Sequence, residues 1–151
     1  MKLEIRKIKE NELNSLIDLY SHYIDKREVP PLSDQTVQDI WENIKGSSCI
    51  NYFVGNLDNT LVASCILTIT PSFIRGGKAF GVLEHVVVHS KHRRKGLAQE
   101  IVSFAINYAW QNDCTEVMLL SGSHNLKAHK LYGKLGFDEE RKKGFILYKH
   151  N

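Results

Sequence analysis

The chain has 151 residues, 42% of them hydrophobic and 25% charged, with a net charge of +3. That length allows one domain with a sizeable core, and so mild a charge argues against nucleic acid as the main partner. No apolar run nears the ~20 residues of a membrane span, and the opening MKLEIRKIKENEL lacks the apolar centre of a signal peptide, so a cytoplasmic location is expected.

Leu3 to Ile8 alternates, with Leu3, Ile5 and Lys7 on one face, and predicts a first strand. Leu13, Leu16, Ile17, Tyr20 and Ile24 form an amphipathic helical stripe, with Asn11 as a candidate N-cap. Pro30-Pro31 breaks that pattern. Ser33 or Asp34 caps a second helix that carries Val37, Ile40, Trp41 and Ile44 inward and stops at Gly46. Ile50 to Leu57 and Leu61 to Thr70 are two strands around Asp58-Asn59, a pair that tolerates a tight turn, so a hairpin is predicted. PSFIRGGK, residues 71–78, is a loop leading to the central strand at Ala79.

After that strand comes the helical stripe Leu97, Ile101, Phe104, Ala105 and Tyr108. Glu116 to Leu120 is a short strand. Asn125 to Leu135 is a helix with Ala128, Leu131, Tyr132 and Leu135 on one face, and Gly136 suits its end. Phe145 to Tyr148 is the last predicted strand. The order β-α-α-β-β-β-α-β-α-β describes a mixed, twisted α/β sheet in a single domain, 1–151, with parallel strands where a helix intervenes and antiparallel ones at the hairpins. Cys49, Cys65 and Cys114 are far apart and odd in number. They fit neither a zinc site nor a disulfide framework, and read as small buried hydrophobes.

The stretch from Val82 to Ala109 is chemically the most specific. Strand, basic glycine loop and helix follow one another, with Lys91, Arg93, Arg94 and Lys95 just ahead of Gly96-Leu97-Ala98. A helix start carries unpaired N–H groups and partial positive charge, and a glycine lets a ligand approach the backbone. A phosphate cradle is the local inference.

Arg93-x-x-Gly96-x-Ala98 matches the Gln/Arg-x-x-Gly-x-Gly/Ala loop of the GCN5-related N-acetyltransferases (GNAT). Asn125-x-x-Ala128-x-x-Leu131-Tyr132-x-x-Leu135-Gly136-Phe137 resembles that superfamily's second motif, and the element order is similar along the whole chain. The resemblance implies an acetyl-CoA-dependent N-acetyltransferase, moving an acetyl group to the primary amine of a small molecule or protein by direct attack in a ternary complex. It implies that the loop Arg93, Arg94, Lys95, Gly96, Leu97 and Ala98 wraps the CoA pyrophosphate. Val86, Val87 and Val88 then pair with the pantetheine arm as an added strand would, in a cleft where the Val82 and Glu116 strands splay, and Asn125 bonds the cofactor. Lys134 extends that set towards a CoA phosphate. Tyr132 becomes the general acid for the leaving thiolate.

The base is less determined. Glu84 alternates with Val82, Val86 and Val88, and burial among them would raise its pKa into a useful range, acting directly or through a water. His85 points to the other face of a regular strand and ranks lower. Tyr23, Pro30, Phe73 and Arg75 are candidates to line the acceptor site. Among metals, His85/His89 and His124/His129 lack ligand spacing, so no metal is expected. The competing reading is a non-catalytic acyl-CoA-binding or regulatory module on the same fold. Nucleic-acid binding through Lys91 to Lys95 is disfavoured by the lack of an accompanying motif. A homodimer is common in the family, with the C-terminal strand as one edge.

Overall fold

A tight turn at Asp58-Asn59 organises the sheet. Both residues take positive φ, +49° and +62°, the left-handed pair that matches strand twist in a two-residue hairpin. In the computed structural model, which describes residues 2–23 and 31–150, the strands are β1 (Glu4–Lys7), β2 (Ile50–Leu57), β3 (Thr60–Pro71), β4 (Ala79–Val88) and β5 (Cys114–Leu119). They lie in the order β1-β2-β3-β4-β5. Neighbours from β1 to β4 are antiparallel, and β4–β5 is parallel.

The helices are α1 (Leu13–Tyr20), α2 (Asp34–Ile44), α3 (Leu97–Gln111) and α4 (Leu126–Lys134). α3 covers one face of the sheet. Its buried stripe, Leu97, Ile101, Val102, Ala105 and Ala109, packs with Phe53, Cys65, Leu67 and Leu83. Phe104 and Tyr108 close on the Phe53 ring edge-to-face at 5.1 and 5.0 Å, and Lys7 stands over Tyr108, so Lys7 does share the face of Leu3 and Ile5. α1 covers the other face, where Leu16 and Leu19 meet Ile8, Val54, Leu61 and Val87.

Three expectations change, and the choice between Ser33 and Asp34 is decided. Asn11 does not cap α1: it lies in a short 3-10 turn, Glu10–Glu12, where Glu12 reaches back to the Lys9 N–H and pairs with Arg6. Ser33, not Asp34, caps α2 by accepting from the Thr36 N–H. The α2 stripe is only half covered, since Ile40 is exposed while Val37, Trp41 and Ile44 are partly buried. Finally, Phe145 to Tyr148 forms no strand. Lys142 reaches Glu116, and two residues on Gly144 lies against Leu120. The tail therefore runs along β5 and past its end, where no strand among the described residues can pair with it. Ile24 and Pro30 lie outside the described residues.

Candidate active site

β4 is irregular at the point where the chemistry was expected. Ile66 pairs with Glu84, but Ser64 pairs with Val87, so two steps along β3 match three along β4. The inserted residue lies at His85, whose φ is +48°. Such a bulge flips the face of everything beyond it. Leu83 packs under α3, whereas Val87 packs under α1 and Val86 and Val88 turn to the α3 side. Glu84 therefore shares a face with Val82 but not with Val86 or Val88, and it is exposed. The expected buried carboxylate is corrected on both counts, and the bulge could not be seen in a run of β-branched residues that bury both faces.

The β4–β5 ladder stops at Leu83↔Leu119, while β3 stays paired with β4 as far as Val88. Beyond Leu83 the backbone of β4 has no strand on its β5 side among the described residues. The Val86 to Val88 segment thus runs along an edge with no β5 partner, where an extended ligand arm can lie, although the Val88 carbonyl already accepts from Arg93. The cleft opens at the loop before α3.

That loop ends at Gly96, with φ +83°, as the N-cap of α3. No side chain caps this end. The first helical bond is Glu100 N–H to Gly96 C=O, which leaves the amides of Leu97, Ala98 and Gln99 for an anion. Leu97 itself is a core side chain, so only its backbone faces the loop. Arg94, with φ +62°, and Lys95 are exposed. The Arg93 side chain is engaged within the protein. Its guanidinium donates to the Val88 and His22 carbonyls, tying the loop to the end of α1, so its side chain shapes the cradle and does not reach into it. Sequence shows the charge but not partners up to 71 residues away.

α4 borders the same cleft. Asn125 caps it through Oδ1, accepting from the Ala128 N–H at 3.3 Å, and keeps its amide N–H groups available. Lys134 lies exposed in the last turn. Tyr132 is half-buried against the α3 core and edge-to-face with Phe137. Burial first, then Tyr23 and Cys65, hold its phenol above the usual range, so it stays protonated and able to donate. Tyr23 meets the His85 ring edge-on at 5.9 Å. Tyr23 thus stands beside His85 at the bulge and also acts on the Tyr132 phenol. On the α1 face, Tyr52 lies in the row Tyr52–Ile66–Glu84. Its phenol is raised by burial and then by the Glu84 charge.

The remaining acceptor candidates sit apart. Arg75 and Phe73 belong to the loop at the N-terminal end of β4. Arg75 is bound to Glu116 at 2.6 Å, and Glu116 also takes Lys142. Its charge is neutralised there, which weakens the expectation of an acceptor anion on Arg75. Phe73 is fully exposed.

Residues 14–137 match the acetyltransferase (GNAT) family model. Over 136 residues the chain is 32% identical to a glucosamine 6-phosphate N-acetyltransferase of Trypanosoma brucei brucei, covering 89% of this chain and 88% of that protein. A putative acetyltransferase from Agrobacterium tumefaciens superposes with a TM-score of 0.89 at 27% identity, over 97% of this chain and 99% of its own. AAC(6')-Iy, solved with the bisubstrate analogue CoA-S-monomethyl-acetylneamine, shares the fold with a TM-score of 0.78 at 17% identity, over 99% and 100% of the two chains.

Proposed function

The chain belongs to the acetyltransferase (GNAT) family and is an acyltransferase, and on that premise we propose that it carries an acetyl group from acetyl-CoA directly to a primary amine in a ternary complex. The open edge of β4 running into the uncapped amides of α3 is the observation that carries this reading. The pantetheine arm pairs with Val86 to Val88, and the pyrophosphate rests on the Gly96-Leu97-Ala98 amides with Arg94 and Lys95 beside it. Arg93 braces that loop from behind. Asn125 bonds the arm through its amide, and Lys134 supplies charge for a CoA phosphate. The thioester carbonyl then lies near the bulge, with Tyr132 placed to protonate the departing thiolate.

Glu84, exposed on the acceptor face, draws in the ammonium group by charge. Glu84→Gln is expected to raise KM for the amine about 10-fold, the scale of one charge-assisted hydrogen bond, with KM for acetyl-CoA unchanged. Equal amine KM values would remove Glu84 from acceptor binding. Tyr23 lines the acceptor side at the bulge. Pro30, outside the described residues, and Phe73 stay as further lining in this proposal, with Arg75 a scaffold held by Glu116. Amino-sugar phosphates are the first acceptors to try, because the Trypanosoma relative is named for one. Thiol release from acetyl-CoA over a panel of amines tests the whole reading: one amine must speed release well above the acceptor-free rate. A non-catalytic acyl-CoA module would bind acetyl-CoA and release nothing with any of them.

A second copy of the chain is part of the proposal. Phe145 and Leu147 are 85% and 94% exposed, with Ile146 between them, and the tail projects past the end of its own sheet. Each chain thus offers a β-prone apolar strand and, among the described residues, an open outer β5 edge, the pairing that strand exchange between copies satisfies. Two such tails present roughly 1,000 Å² of apolar side chain, about what a specific interface needs. Light scattering is expected to give a dimer for the full chain and a monomer for a chain ending at Gly144. A monomeric full chain at tens of micromolar (roughly the range where an interface of this area assembles), or a dimeric truncation, would contradict this.

A further inference from the structure

We propose that His85 is the catalytic base, the group that takes the proton from the acceptor's ammonium before it attacks the thioester. The inference rests on the acetyl-transfer reading above and goes beyond it by naming the residue that a regular strand would have turned away. Three observations converge.

His85 is the inserted residue of the β4 bulge, with φ +48°. A non-glycine residue in this region costs roughly 1 kcal/mol, and such strain gathers at functional sites. Bulges beside active sites re-aim a side chain that the pleat would have pointed elsewhere.

Second, no packing need holds the imidazole there. His85 is exposed, and its one ring contact among the described residues is with Tyr23. Neither ring nitrogen has a hydrogen-bond partner among the described residues, so one lone pair is available for a proton.

Third, the ring stands where the proton has to move. Tyr23, which touches His85, also acts on the Tyr132 phenol, as does Cys65 from β3. The carboxylate of Glu84 is the next residue along β4. His85 thus has the Tyr23 ring, from the segment after α1, against it and Glu84 beside it in sequence on β4, and the same Tyr23 acts on Tyr132 of α4. Neutral imidazole accepts the ammonium proton. The freed nitrogen lone pair attacks the thioester carbon, forming the C–N bond. As the C–S bond breaks, the thiolate takes the proton of the Tyr132 phenol, the surplus N–H proton of the adduct passes through water to the Tyr132 phenolate as the neutral amide forms, and His85 releases its own proton to solvent. Histidine suits this step because its neutral ring offers a nitrogen lone pair to the proton.

The experiment compares His85→Gly and His85→Asn with the wild type, on an amine that the wild type turns over. Glycine and asparagine both tolerate the left-handed backbone, so thermal unfolding midpoints are expected to stay within a few degrees. kcat/KM is expected to fall about 10² to 10⁴-fold, and the wild-type rise of rate from acid to neutral pH to disappear. Added imidazole is expected to restore part of the rate to His85→Gly by occupying the space left by the ring. Well-folded variants with the wild-type pH profile, or a Glu84→Gln variant that alone abolishes the acid limb, would overturn the assignment. Wild-type turnover reports on amine acetylation itself, and the ratio of variant to wild type reports on His85, so the two failures are separate.

Discussion

Tyr132→Phe is expected to lower kcat by about 10² to 10⁴-fold, the usual worth of a positioned acid, while acetyl-CoA affinity changes little. The ring and its place on α4 survive the substitution, including the edge contact with Phe137 and the packing against the α3 core. Only the hydroxyl is lost. Burial, Tyr23 and Cys65 all raise that phenol above its ordinary value, so it remains a proton donor throughout neutral pH. The sign follows: activity that depends on it persists upward to at least the usual phenol range near pH ~10 and falls only above it. The comparison is pre-steady-state thiol release alongside calorimetric titration with CoA. Equal kcat in the two proteins would make Tyr132 a packing residue. Weakened CoA binding with kcat intact would make it a cofactor contact instead.

Gly96→Val is expected to lose acetyl-CoA affinity by 100-fold or more, about 3 kcal/mol. Two effects add. At φ +83° a β-branched residue is a backbone outlier, and relaxing it tilts the first amides of α3 away from the anion. No atom lies within 4 Å of the position a Cβ would take, so the new side chain does not disturb the core and instead stands in the open space above the cradle. The unfolding midpoint in the absence of CoA is expected to drop by a few degrees at most, while the upward shift expected of CoA in the wild type, as for any ligand that binds only the native state, is expected to vanish. A wild-type CoA shift in this variant would mean that the pyrophosphate lies elsewhere.

Much of the fold is legible in the residues. Asp58-Asn59 dictates a left-handed turn and hence the β2–β3 hairpin, and the spacing of Leu97, Ile101 and Ala105 already names the face of α3 that fills the core. Local chemistry decides these features, so local sequence reveals them. The bulge is different. Val82, Val86, Val87 and Val88 are apolar on both sides of the insertion, and a strand buried on both faces carries no period from which a missing beat can be read. The errors about the burial of Glu84 and the face it shares have that one cause. Arg93 shows a second limit: its charge is legible in the loop motif, but its side-chain partners Val88 and His22 are set by tertiary structure. Phe145 to Tyr148 has strand-forming residues, yet a strand exists only where an edge is available to pair with it.

The central claim is direct transfer from acetyl-CoA to the amine, with no acetylated protein between. The thiol that acts on the Tyr132 phenol argues against a covalent route, because burial pushes Cys65 up to about 12 and the thiolate is the nucleophilic form. Acetyl-CoA carrying an isotopic label in its acetyl group, incubated with the protein first and with an accepted amine afterwards, decides the matter by mass spectrometry. Direct transfer predicts unlabelled protein at every time point and label in the amine, in step with thiol release. Label on the protein that is chased into the amine would contradict it.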